Sequence, residues 1–211
     1  MSTEFASADL TAGQLNAIVK KLGGYDAAIK FLRGELAVSE PTRSWREENG
    51  VIYFEVTSDG TTGLEWIKRF EKKGDRVSGY AKSVLRSPDF KPTKGVTYEI
   101  AVLKGMLFED NNRITKNIRT EAESRKLTTP NAEVACLIRE NFSDKEIEAM
   151  GLVWVVVMHD PIKDSDGDPS LLDVPRFDNG RWLDTYCGQP DNWWDRSYGF
   201  AFVVSQVVLG S

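Results

Sequence analysis

Apolar positions keep a helical or strand period up to about residue 158, and then the period is lost. Leu15, Ile18, Val19 and Leu22 recur at the spacing of one helix face. Thr11 with Gln14 opens that segment as a capping box, and Gly23-Gly24 ends it. A second short helix is predicted over Asp26 to Arg33, and a polar loop from Ser39 to Asn49. Val51 to Val56 alternates like a strand and Ser58-Asp59-Gly60 closes it. Thr62 with Glu65 caps a further helix, with Leu64, Ile67 and Phe70 on one face. Ser87 to Pro92 reads as a linker, because its two prolines restrict their own φ and the residues before them.

The second part opens with a strand, Val96 to Leu103, followed by a helix from about Arg113 to Arg125. Thr129-Pro130 predicts a helix start by the N-cap and N1-proline rule, with Val134, Leu137 and Ile138 turned inward. Ser143 with Glu146 caps a third, short helix. Leu152 to Met158 is a continuous apolar run, expected of a buried strand. His159 to about Tyr198 shows no steady period and reads as a long irregular stretch, which inside a compact domain is usually functional. Phe200, Phe202 and Val204 alternate with Ala201 and Val203 as a last strand. These elements predict an α+β chain with two parts: a small helical and mixed region over 1–90, and a domain over 91–211.

Charge sharpens the break. Residues 1–150 hold 23 Lys+Arg against seven Asp and 16 Glu, while residues 151–211 hold nine Asp, no Glu, three Arg and one Lys. The whole net charge of −5 therefore sits in the last part, which also holds four of the six Trp. Arg181 to Phe202 interleaves aromatics with Asp, Asn, Ser and Gly. That mixture suits a contact surface, since Tyr and Trp give rigid area and small polar residues give adaptable hydrogen bonds. Nucleic acid is not an expected partner: the only dense basic cluster is Lys68, Arg69, Lys72 and Lys73, on a solvated helix face. No apolar run approaches a membrane span, and Met1 to Leu10 lacks the segments of a signal peptide, predicting a cytoplasmic location.

Candidate chemistry adds little. Asp164, Asp166 and Asp168 offer hard oxygen ligands, but Gly167 is misplaced for a calcium loop and no Glu follows, so no metal is expected. His159 and Cys187 could make a nucleophilic pair only if the fold brings them together. Cys136 lies in an apolar helical pattern as a small core residue. Gln189-Pro190-Asp191-Asn192 resembles the sugar-binding tripeptide of animal C-type lectins, in which side-chain oxygens hold Ca²⁺ and a sugar; the disulfide cysteines and calcium segment of those lectins are missing. No catalytic residue and no cofactor is assigned.

Residues 95–211 as a set resemble a bacterial C-type-lectin-like domain. It is of the kind found in variable proteins of diversity-generating retroelements and, more distantly, in formylglycine-generating enzymes. The resemblance lies in the order of parts. A helix leads into Arg125-Lys-Leu-Thr-Thr-Pro-Asn-Ala-Glu133, similar to the family's Leu-Pro-Thr segment before an acidic helix. A Trp-punctuated irregular region follows, and Gly199-Phe200-Ala-Phe202 closes the domain. Cys187 alone does not supply the reactive cysteines of a formylglycine-generating enzyme, so that activity is not implied.

The resemblance implies helices packed on small antiparallel sheets and a non-enzymatic protein. Its C-terminal surface would be diversified to bind a macromolecular ligand, protein or glycan. In such systems copying errors at adenines turn Asn codons into Asp, Tyr, Ser, Gly, Cys, Phe, Arg and Thr, but never Glu. Phe177, Asn179, Asp184, Tyr186, Cys187, Gly188, Asn192, Asp195, Ser197 and Tyr198 belong to that set, and Trp193 needs another codon such as AAG. These are the expected ligand-binding positions. Arg181, Trp182, Leu183, Pro190, Trp194, Gly199 and Phe200 read as the fixed frame. The alternatives are a calcium-dependent lectin using Gln189, Asp191 and Asn192, and an enzyme built on His159 and Cys187. The display reading expects three things. The first and last strands of the domain pair; Trp182 and Trp194 are buried; and Tyr186, Asn192, Trp193, Asp195 and Tyr198 form one contiguous, more exposed face.

Overall fold

A computed structural model describes residues 11–37 and 43–204 and divides the chain into two compact units, Met1–Arg43 and Ser44–Ser211. The first unit holds α1 (Ala12–Lys21) and α2 (Tyr25–Leu32). Thr11 and Gln14 form the expected capping box. Residues 39–42 of the expected polar loop lie outside the described residues.

The second unit runs β1 (Arg46–Glu48), β2 (Val51–Asp59), α3 (Gly63–Lys73), β3 (Arg76–Val77), α4 (Gly79–Arg86), β4 (Lys94–Lys104), α5 (Thr115–Ser124), β5 (Leu127–Thr128), α6 (Glu133–Asn141), α7 (Asp144–Ala149), β6 (Trp154–Val157), β7 (Ile162–Lys163), β8 (Pro169–Phe177), β9 (Gly180–Cys187) and β10 (Tyr198–Val204). The class is α+β. The sheet is larger than small antiparallel sheets would be. Its order is β1-β2-β4-β10-β6-β8-β9-β3, with β5 beside β10 and β7 beside β8. The expected pairing of first and last strands is present: Phe200 faces Leu103 and Ala201 faces Val102, antiparallel. On its other edge β10 runs parallel to β6. With a neighbour on each side, β10 buries Phe200, Ala201 and Phe202.

The expected boundary near residue 90 falls inside this sheet. β2, from the region expected to be separate, pairs with β4 along nearly its whole length, from Val51↔Leu103 to Asp59↔Lys94. Ser87 to Pro92 is a connection from α4 to β4 rather than a linker between domains.

Two apolar cores cover the two faces of the sheet. One joins Trp66, Phe70, Val84, Leu85, Val134 and Leu137 from the helices to Ile52, Phe54, Val102, Leu172 and Leu183 from the strands. The other joins Ile118 and Ala122 of α5 and Trp194 to Val51, Leu103, Val156, Leu171, Phe200 and Phe202. Val134, Leu137 and Ile138 turn inward as expected. Leu64 does not: it is exposed, and Trp66 takes its place on the buried face of α3. The start of α6 is also later than Thr129. It opens at Glu133, whose N–H is taken by Asn131 Oδ1 at 3.1 Å.

The largest departure lies in the stretch read as irregular. Residues 169–187 form a hairpin, β8 and β9, turning at Asp178-Asn179 between the paired Phe177 and Gly180. Its ladder passes over Pro175, which has no N–H to give. The rest of the stretch without helix or strand is short: residues 158–161 and 164–168, and the longer 188–197, which has one isolated bridge of Trp193 to Ile114. Among the described residues no helix is long and apolar enough to cross a membrane.

Candidate binding face

Strand alternation sorts the hairpin's side chains. Asp173 sits opposite Asp184 and Leu171 opposite Tyr186, so Phe177, Trp182, Asp184 and Tyr186 share one face. Trp154 of β6, opposite Pro175, and Tyr198 of β10, opposite Trp154, continue it. Trp154 is the hub. Its ring lies 5.4 Å from Phe177, 6.1 Å from Tyr186 and 4.8 Å from Tyr198, each steeply tilted. Phe177 meets Trp182 at 6.0 Å and 85°. Edge-to-face contacts of this kind hold rings beyond the gain from burial alone.

A carboxyl group lies under these rings. Asp173 is fully buried; its Oδ1 accepts from Trp154 Nε1 at 3.0 Å and its Oδ2 has no partner. Burial raises its pKa well above the ordinary carboxylate value, and the facing Asp184 adds to the rise. Burial likewise raises Tyr198, with smaller contributions from Tyr186, Asp195 and Asp173.

The irregular segment 188–197 is held by its backbone. Thr115 and Lys116, at the start of α5, donate their N–H groups to Asn192 O and Pro190 O at 3.1 and 2.9 Å. The helix has no side-chain cap, so the segment's carbonyls satisfy its free donors. Val153 N–H donates to Ser197 O, and Trp194 N–H to Arg113 O. Arg113 is buried, and its guanidinium donates to Gly105 O, Phe108 O and Trp194 O and pairs with Asp110. Trp194 is buried too, with Nε1 donating to Thr115 Oγ1 at 2.9 Å. Gly105 lets the segment come close, since a Cβ there would lie 2.8 Å from the carbonyls of Asp195 and Arg196.

The expected ligand-binding residues fall into three places. Phe177, Asp184, Tyr186 and Tyr198 lie on the aromatic face, with Asn179 at its turn accepting from Trp182 Nε1 at 2.8 Å. Asn192, Trp193, Asp195 and Ser197 belong to the pinned segment. Trp193, 53% exposed, donates to Asp110 O and lies beside Arg113 rather than with the tyrosines. Cys187 alternates to the opposite side of β9 from Tyr186. The single contiguous face is therefore replaced by an aromatic sheet face and a neighbouring segment. Gly188 is buried, and a Cβ there would press on Leu171 and Pro161 at 3.1 Å, which makes it a packing position. Of the frame, Leu183, Trp194, Gly199 and Phe200 are buried, and a Cβ on Gly199 would meet Val102 at 2.6 Å. Trp182 is only half-buried and belongs to the aromatic face. Trp154, Asp173 and Arg113 were not foreseen. An apolar run hid the first, a turn-rich stretch the second, and nothing local marks an arginine as buried.

The alternative sites have other occupations. His159 is buried with both ring nitrogens used: Leu172 N–H donates to Nε2 at 2.8 Å, and Nδ1 bonds Asp160 O at 2.6 Å. Burial lowers its pKa to about 4, so the ring is a neutral staple for β8 rather than a base for Cys187. Asp164 turns inward on its own loop, accepting from Asp166 N, Asp168 N and Ser170 Oγ. Asp191 pairs with Lys116 at 3.0 Å. Among the described residues no three His, Cys, Asp or Glu converge as a metal cage. Millimolar Ca²⁺ is accordingly expected to leave the melting temperature unchanged. A rise that Asp191→Asn abolishes would restore the lectin reading, because a ligand that binds only the folded state must stabilise it.

No family model, curated protein or solved structure matches the chain.

Proposed function

We propose that this protein is a non-enzymatic binding protein. It presents the aromatic face and the 188–197 segment to a macromolecular ligand, on a scaffold whose stability comes from elsewhere. One observation carries the reading. The segment is fixed by carbonyls bonded to Thr115, Lys116, Val153 and Arg113, and by the buried Trp194. The side chains of Asp191, Trp193, Asp195 and Arg196 are meanwhile exposed. A loop held by its backbone keeps its shape when its side chains change. Surface substitutions then cost about 0.5 kcal/mol or less each. This is what a segment rewritten by a retroelement needs, and diversification of this kind is the form of display we propose.

The test contrasts two sets of substitutions. Asn179→Tyr, Asp184→Ser, Asn192→Asp, Trp193→Ser and Asp195→Tyr are combined in one variant. It is expected to fold with a total loss of about 2.5 kcal/mol or less in urea unfolding. Trp194→Ser alone is expected to cost about 3–5 kcal/mol. If the five-fold variant unfolds while Trp194→Ser does not, the side chains hold the fold and the display reading fails. In the genome, a reverse transcriptase beside a near-copy of the Arg181–Phe202 coding segment, differing at adenines, would establish the diversification.

A further inference from the structure

The turn end of the aromatic face holds a cavity of about 380 Å³ lined by Phe177, Asp178, Asn179, Trp182 and Asp184. Three features give it a definite chemistry. First, its two rings stand at 85°, forming a corner rather than a flat platform. A pyranose stacks on one open ring face, whereas a cation is held best where several ring faces converge. Second, the acids outnumber their partners. Asp178 and Asp184 reach the cavity, and neither is joined to Lys or Arg in an ion pair of the described residues. Arg181 and Arg176 do not offset them: Arg181 bonds Arg139 O and pairs with Asp75, and Arg176 bonds Leu152 O and pairs with Glu148. Third, a guanidinium already rests on this ring system. Arg76 of β3, exposed, lies over Trp182 at 5.3 Å from its centroid.

We propose that this acidic, two-ring corner receives an arginine or lysine side chain from a basic protein ligand, with Arg76 as the internal cation that the incoming one displaces or repels. The inference rests on the binding role of the face argued above and names the chemistry of its ligand. The ring faces attract the cation, Asp184 and Asp178 neutralise it, and Asn179 Oδ1, now taken by Trp182 Nε1, marks the depth at which donors are accepted. Charge complementarity supports a protein partner: the last 61 residues carry nine Asp and four Lys+Arg.

The test is a titration of the ¹⁵N-labelled full chain, followed through the indole N–H signals of Trp154 and Trp182. The probes are N-acetyl-arginine amide, its neutral isostere N-acetyl-citrulline amide, N-acetyl-lysine amide and N-acetylglucosamine. Arginine amide is expected to shift both signals saturably, with a dissociation constant on the order of millimolar, as suits a single side chain. Citrulline amide is expected to produce no saturable shift. Asp184→Asn is expected to weaken arginine binding about three- to fivefold, and Arg76→Gln to strengthen it by a similar factor. Asparagine keeps the bond from Thr185 N–H that Asp184 Oδ1 accepts, so the first variant folds. Equal shifts from citrulline and arginine would overturn the charge inference while leaving a binding face. Shifts from N-acetylglucosamine alone would replace the cation with a glycan. No shift from any probe would remove this pocket from the binding role. The display reading itself stands or falls on the substitution contrast above.

Discussion

Arg113→Ala is expected to lower the free energy of unfolding by about 3–5 kcal/mol, the cost typical of breaking a buried, fully bonded charge. The reason lies in what the guanidinium holds together. It joins the carbonyls of Gly105 and Phe108, after β4, to the carbonyl of Trp194, in the irregular segment. Without it these oxygens lose a donor, and the segment loses its tie to the turn after β4. Asp110 is mostly exposed, so the carboxylate partner is the smaller part of the effect. Arg113→Lys cannot reach all four acceptors with one ammonium and is expected to recover only part of the loss. Urea unfolding followed by tryptophan fluorescence measures both variants. A loss of less than about 1 kcal/mol for Arg113→Ala would mean that the segment is fixed by its side chains after all.

This dependence explains how far the sequence could be read. The strands β4, β6 and β10 were legible because each is an apolar run with clear ends, and two of them pair as expected. The caps at Thr11, Thr62 and Ser143 were legible because each is a local arrangement of four residues. The β8–β9 hairpin was missed, although Asp178-Asn179-Gly180 is a strong turn signal. Asp173 and Pro175 interrupt the apolar run of β8, and polar residues break that of β9, so neither showed a clean period. The joining of the first 90 residues to the same sheet was hidden for a different reason. Pairing of β2 with β4 bridges residues some 35 to 52 positions apart, and no local pattern reports it. Burial of Arg113 is of the same kind: its acceptors are main-chain carbonyls brought from both sides. The exposed and buried positions in the last part were read correctly at Trp194, Gly199 and Phe200, where bulk or absence of a side chain forces the answer. They were misread at Gly188 and Trp182, where identity alone allows either.

Asp173→Asn and His159→Gln are expected to tilt the pH dependence of stability in opposite directions. His159 is buried neutral, with its pKa lowered from 6.5 to about 4. As pH falls through that interval the unfolded chain takes up a proton that the folded chain refuses. Stability therefore drops by up to about 1.4 kcal/mol per pH unit. Asp173 behaves in the reverse sense. Its pKa is raised well above 3.8, so as pH rises past that value the unfolded chain releases a proton that the folded chain keeps. Stability then falls with rising pH. Where the two intervals overlap the contributions oppose each other. Asp173→Asn leaves the rise due to His159, amounting to about 3 kcal/mol at most across that window. His159→Gln leaves the fall due to Asp173. Above pH 3.8 the Asp173 contribution falls until its raised folded-state pKa is reached, so Asp173→Asn is expected to remove a downward slope that the native chain carries. The substitution keeps an oxygen for Trp154 Nε1 and places an amide opposite the Asp184 carboxylate, so the aromatic face stays built. Urea unfolding of the three proteins from pH 4.5 to 8 reads the slopes directly, and parallel profiles would show that neither group is held as described. The expected gain from Asp173→Asn at neutral pH gives the buried acid its meaning. It is a carboxyl kept under the rings, opposite Asp184, at a cost to the fold.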